Sequence, residues 1–228
     1  MAIERVDVDI QQFRRLLEIE CPDWSLDIRE KIIAFRELVV KESKTQNLTR
    51  LLSPEEFLEG HVRDVRELLA QDLLDWPVLD LGSGVGVPGL LAALVREGAW
   101  ILCESEKKKA DFLYRAAKQS GLVDRVQVVP DRAEAYLKNA SVRSIVARAV
   151  GPVERIYGWI RSCSTWNNLV LLKGPAWERE WSDFQKGKFR QELQIAKSFT
   201  YELGADRKPR IIVRLNRVPR GTNNSQRR

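Results

Sequence analysis

The chain has 228 residues, 44% hydrophobic and 31% charged, with a formal net charge of +6 and a single histidine. That length suits one domain of ordinary size with a real core and room for a small appendage. One histidine excludes a multi-histidine metal site, and three scattered cysteines (Cys21, Cys103, Cys163) without CxxC spacing fit reduced thiols, not a disulfide frame.

The opening, MAIERVDVDIQQF, lacks the charged start and apolar stretch of a secretory signal. No apolar run reaches the roughly 18 residues of a membrane span. Residues 1–76 read as a helical extension. Ile28, Ile32, Ile33, Leu38 and Val39 recur at helical spacing over Asp27–Val40, and the polar stretch KESKTQNLTR then marks a loop. Ser53-Pro54-Glu55-Glu56 forms a capping box with proline at the first helical position, and it opens a helix expected to run to Leu74.

From Trp76 the rhythm changes. Short apolar runs (PVLDL, WILCE, RVQVV, RSIVA, NLVLLK) alternate with amphipathic stretches near 88–97, 107–120, 132–139, 152–163 and 176–188. Such alternation implies parallel strands buried between two layers of helices. Lys197–Leu203 and Arg210–Asn216 alternate in polarity across the turn-rich GADRKP and predict an edge hairpin. Five parallel strands plus this hairpin give a seven-stranded α/β sheet of the class I methyltransferase type over 77–217. Residues 218–228 read as a flexible basic tail. Eight basic residues stand between Arg207 and Arg228, a pattern that suits a polyanionic partner or a solubilising terminus.

The segment VLDLGSGVGVPG places Gly82, Gly84, Gly86 and Gly89 directly after the first parallel strand. Glycines there let backbone approach a ligand closely, as in dinucleotide enzymes and in methyltransferases. The spacing is GxGxG, not the GxGxxG of a pyrophosphate site, and no GK[ST] follows to make a Walker loop. Asp80 would repel a pyrophosphate but attract the ammonium and sulfonium of S-adenosylmethionine. Glu104 ends the second strand, where an acid accepts from ribose hydroxyls in either cofactor class, or simply starts a helix.

Several segments together resemble the GidB (RsmG) family of bacterial 16S rRNA guanine-N7 methyltransferases. They are LDLGSGVGVPG, Asn47-Leu48-Thr49 with His61 and Asp64, and Glu104-Ser105 with Lys108 and Phe112-Leu113. Arg132-Ala133-Glu134, Arg148-Ala149-Val150 and Leu172-Lys173-Gly174 follow in order. The resemblance implies that the loop from Gly82 to Val87 (Gly82, Gly84, Gly86, Val87) holds the methionine part of S-adenosylmethionine. It sets Ala133 and Glu134 beside the adenine and Arg148 near the transferred methyl. Arg132 and Glu134 read alone would be a surface charge pattern opening a helix. His61 reads as a structural histidine that, with Asn47 and Asp64, fixes the N-terminal helices against the cleft. Lys173 suits either an RNA phosphate or the capping of the last parallel strand; Lys108 and Arg214 are further basic candidates for RNA. Two positions depart from the family pattern: Val65, where serine is usual, and Val142-Arg143-Ser144, where Phe-Asp is usual.

The resemblance further implies an enzyme acting on 16S rRNA or the small subunit; the reduced thiols suit the cytoplasm, and a monomer is expected. Guanine N7 carries an in-plane lone pair and no proton, so in-line attack needs no general base. Open alternatives are methylation of another RNA or small molecule, a non-catalytic RNA-binding assembly factor of the same fold, and a NAD-dependent oxidoreductase.

Overall fold

Two serines set the start of the helices that precede the sheet. The computed structural model describes residues 2–203 and 207–218, with side chains from Asp7 onward. Helix α1 spans Ala2–Glu20. Ser25 then accepts from the Ile28 N–H and opens α2, Leu26–Glu42. The expected capping box is present: Ser53 Oγ accepts from the Glu56 N–H, and the Glu56 carboxylate accepts from the Ser53 N–H. It opens one helical run made of α3 (Pro54–Phe57), a π-helical turn (Leu58–Val62) and α4 (Arg63–Ala70). The run ends at Ala70, short of the expected Leu74. Asp72 takes a left-handed φ of 47°, and Leu73 and Leu74 turn down into the core.

Strands and helices then alternate as expected: β1 (Val78–Leu81), α5 (Gly89–Val95), β2 (Trp100–Cys103), α6 (Lys107–Gln119) and β3 (Val126–Val129). They continue through α7 (Ala133–Tyr136), β4 (Ser144–Arg148), α8 (Val153–Ile160), β5 (Asn168–Lys173) and α9 (Trp177–Lys186). The hairpin strands are longer than their polar alternation suggested, β6 over Leu193–Leu203 and β7 over Lys208–Arg217. The turn residues 204–206, and nearly all of the expected tail (219–228), lie outside the described residues. One sheet orders its strands β3-β2-β1-β4-β5-β7-β6. β1 to β5 run parallel, and β7 lies antiparallel between β5 and β6.

Two apolar layers cover the sheet. Helices α7, α8 and α9 pack on one face through Ala133, Ile156, Ile160, Trp177 and Phe184. On the other face α5 and α6 share a single cluster with the N-terminal helices, which bring in Phe13, Phe35 and Phe57. Phe57 meets Phe13 and Phe35 edge-on, at centroid distances of 5.7 and 6.2 Å, and also His61 at 4.8 Å. Both departures from the family pattern fit this core. Val65 is fully buried, and Ser144 ties the sheet's entry together: its Oγ accepts from the Asp75 N–H (2.8 Å) and from Asn168 Nδ2 (3.3 Å).

Phe57 therefore joins the helical layer to the polar cluster described below. Phe57→Ala is expected to destabilise the chain by about 3–5 kcal/mol, the range for a fully buried phenylalanine, as measured by urea unfolding. A loss under about 1 kcal/mol would show that the helical layer carries little of the stability.

Candidate active site

The glycine loop turns at the C-terminal end of β1, where open α/β sheets bind ligands. Gly82, Gly84 and Gly86 have φ of 72°, 54° and 94°, a region that other residues enter at a cost of about 1–2 kcal/mol. Gly89 lacks a side chain for a second reason. A Cβ there would stand 2.5 Å from Leu102 Cδ2 and 2.6 Å from Asp80 Oδ2. That closeness allows the Gly89 N–H to donate to Asp80 Oδ2 at 2.9 Å. Asp80 thus lies beneath the loop as its anchor, not facing out toward a cation as its sequence position suggested. Burial raises its carboxyl to about 7. Its other oxygen, Oδ1, is buried without a hydrogen-bond partner.

Glu104 closes the loop from the next strand. Its Oε2 accepts from the Gly84 N–H at 2.9 Å and its Oε1 from the Glu106 N–H at 2.8 Å. A Cβ at Gly84 would meet only the Gly82 carbonyl, at 3.8 Å, so this side of the loop is open. Val87 points its side chain into the core and offers a ligand only its backbone. Ala133 is buried at the start of α7, while Glu134 is half-buried with Arg132 Nη1 3.9 Å away. An open glycine with positive φ and a carboxylate on its amide at the end of β1 fit S-adenosylmethionine. A nucleoside hydroxyl could take the place of the amide at Glu104.

Arg148, at the end of β4, is the centre of the polar cluster. Its Nη1 donates to the Gly60 carbonyl (2.7 Å) and to Asp64 Oδ2 (2.8 Å), and its Nη2 donates to His61 Nδ1 (2.9 Å). Because His61 Nδ1 accepts, the proton sits on Nε2, which donates to Thr49 Oγ1 at 3.2 Å. Burial, and then the neighbouring Arg148 charge, lower His61 to about 3, so the ring is neutral with both nitrogens engaged. The sequence grouped His61 with Asp64; the structure adds Arg148 as the partner that both of them meet. Thr49, not Asn47, completes the set; Asn47 is exposed. The following residue, Ala149, has a φ of 56°, an outlier for a residue with a side chain.

Three partners gave no sequence signal. The Gly60 carbonyl reaches Arg148 from the π-helical turn, where the Arg63 N–H bonds back to Leu58. Tyr201, from β6, donates its hydroxyl to Asp64 Oδ1 at 2.7 Å, and burial raises its own pKa. Glu180 accepts from Lys173 Nζ at 2.6 Å and from the Val153 N–H at 2.7 Å. Lys173 also donates to the Gly151 carbonyl at 2.7 Å. Of the two roles the sequence left open for Lys173, these internal bonds fit the capping of β5. Lys108 is exposed on α6, whereas Arg214 lies half-buried on β7 with its Nε 3.4 Å from Asn216 Oδ1. A cavity of about 470 Å³ opens beside Arg148, bounded by Asp64, Lys173, Glu180, Tyr201 and Arg210.

The two perturbed groups pull stability in opposite directions with pH. Keeping His61 neutral favours the fold fully above its ordinary 6.5, and this is lost as pH falls toward about 3. A protonated Asp80 favours the fold below its ordinary 3.8, and this is lost as pH rises through about 7. His61→Gln removes the first slope. Wild type should therefore gain on this variant by up to about 1 kcal/mol per pH unit between roughly pH 4 and 6. Urea midpoints across that range measure it, and parallel curves would mean that His61 is charged in the fold.

Comparison with known proteins gives the chain a family. The family described as rRNA small subunit methyltransferase G (GidB) matches residues 28–208. A ribosomal RNA small subunit methyltransferase G from Solibacter usitatus is 33% identical over 213 residues, 88% of this chain and 97% of that protein. One from Neisseria gonorrhoeae is 34% identical over 157 residues, 68% of this chain and 72% of that protein. Among solved structures, M. capricolum TrmK in complex with S-adenosyl-homocysteine aligns with a TM-score of 0.51 at 10% identity, over 66% of each chain. The METTL16 methyltransferase domain aligns at 0.51 and 16% identity, over 81% of this chain and 79% of that one. At such identities these two share the fold alone. With a family match over most of its length and a relative a third identical over 88% of it, the chain belongs to the rRNA small subunit methyltransferase G (GidB) family.

Proposed function

We propose that this chain transfers the methyl group of S-adenosylmethionine to N7 of a guanine in bacterial small-subunit (16S) rRNA. The observation that carries the reading is the locked Arg148 between the glycine loop and the cavity. Arg148 ends β4, the strand paired beside β1, so the strand ends set the glycine loop and the cluster side by side. When bound, S-adenosylmethionine supplies a methyl on a cationic sulfur, already electrophilic toward a nitrogen lone pair.

The chain's own residues then hold and exclude. Backbone of the loop from Gly82 to Val87 flanks the methionine part, Glu104 accepts from the ribose, and Ala133-Glu134 borders the adenine. Arg148 stays in place because three acceptors fix its fork, and it forms a wall against which the acceptor base is aligned. Alignment of this kind, with water kept out, is the main lever available to the site. A new N7–carbon bond forms as the carbon–sulfur bond breaks, and no proton leaves the base. His61, neutral with both nitrogens occupied, suits a reaction that asks for no general base. In this reading the chain works as a monomer in the cytoplasm, where small subunits are assembled.

Labelled S-adenosylmethionine supplied with small subunits from cells lacking the protein should deliver label to 7-methylguanosine on nucleoside digestion. Arg148→Ala should reduce that rate about 100-fold, the scale of a small misplacement of reacting groups. Label on an exocyclic amine or a cytosine carbon would reject the N7 assignment. No heat on titration with S-adenosylmethionine would favour a binding protein over an enzyme.

A further inference from the structure

The charges around the cavity do not cancel. Arg148 is matched by Asp64 at 2.8 Å, and Lys173 by Glu180 at 2.6 Å. Arg210, on β7, is the third cation on the wall. It is half-buried, its Nε is shielded from solvent without a hydrogen-bond partner, and among the described residues no carboxylate pairs with it. A guanidinium cannot shed its charge to escape this cost.

Its position is also built. β7 sets Arg210 directly across from Tyr201, the residue that holds Asp64. Its Nη1 lies 2.8 Å from where a Cβ on Gly174 would stand, so the guanidinium rests over a residue that has no side chain to displace it. The planar fork of arginine matches the oxygens of a phosphate and grips them in pairs.

We propose that Arg210 binds a phosphate of the acceptor RNA strand at the mouth of the cavity, and so sets the target base against the Arg148 wall. This rests on the reading above that the acceptor is RNA. The ligand's position also fits the chemistry. An anion at Arg210 leaves the base edge without a donor that would occupy N7.

The test is the salt dependence of binding to a small-subunit rRNA fragment, compared between wild type, Arg210→Ala and Arg210→Lys. Arg210→Ala should bind about 10-fold more weakly, and its slope of log affinity against log salt should shrink by roughly 0.7–0.9, one phosphate contact. Arg210→Lys should keep the slope while losing part of the affinity. Unchanged S-adenosylmethionine affinity shows that the fold is intact; if Arg210→Ala loses it, Arg210→Gln, which keeps the stem, replaces that variant. A folded variant with wild-type slope and affinity overturns the proposal. So does thermal stabilisation of wild type, but not of Arg210→Ala, by inorganic phosphate with no change in RNA slope, since the site would then serve a free anion. The slope is read in binding alone. Failure of wild type to methylate rRNA therefore sinks the functional reading and leaves this comparison standing.

Discussion

Holding one arginine charge in a nearly enclosed position organises the site. A guanidinium stays protonated at any working pH, so its burial demands acceptors on every accessible N–H. Arg148 finds them in a carboxylate, a ring nitrogen and a backbone carbonyl, all from one helical run. An unbroken α-helix would bond the Gly60 carbonyl within itself. In the π-helical turn at Leu58–Val62 the Arg63 N–H bonds to the Leu58 carbonyl, and the Gly60 carbonyl accepts from Arg148 at the strand end. Gly60 carries no side chain, which lets Leu51 close against the same turn.

The helical layer is therefore part of the site and not a cover placed over it. The run that carries His61 and Asp64 to Arg148 is seated one turn earlier by Phe57, which packs edge-on against Phe13 and Phe35. Apolar packing fixes the backbone, the backbone fixes the polar cluster, and the cluster fixes the arginine. From the opposite side Tyr201 completes Asp64, so the terminal hairpin and the first helices meet at one carboxylate. Deforming either end of the chain would reach the same atoms.

Much of this was legible beforehand. Alternating apolar runs and amphipathic stretches implied a parallel sheet between helices, and the glycine spacing with its following acid pointed to the ligand end of β1. Those signals are local: a strand buried on both faces must be apolar, and a tight loop at positive φ must be glycine. Asp80 shows where the local view fails. In sequence it is an acid beside a cation site, while in the fold it accepts from Gly89 beneath the loop, at a separation set by the loop's path. For Lys173 the local view leaves two roles open, and a distant partner decides between them. Nothing near it in sequence reveals that α9 will bring Glu180 within 2.6 Å.

By itself the sequence determined the order of elements, the capping box at Ser53, the glycine loop and the pairing of His61 and Asp64 on one helical run. These are properties of neighbours along the chain, and spacing suffices to state them. Only the tertiary structure decided which charges are satisfied. Arg148 takes partners 84 and 87 residues away, Asp64 is shared with a tyrosine 137 residues on, and Arg210 stands at the cavity with no carboxylate paired to it among the described residues. Charge balance inside a fold depends on distance and burial together, and neither is written in the order of the residues.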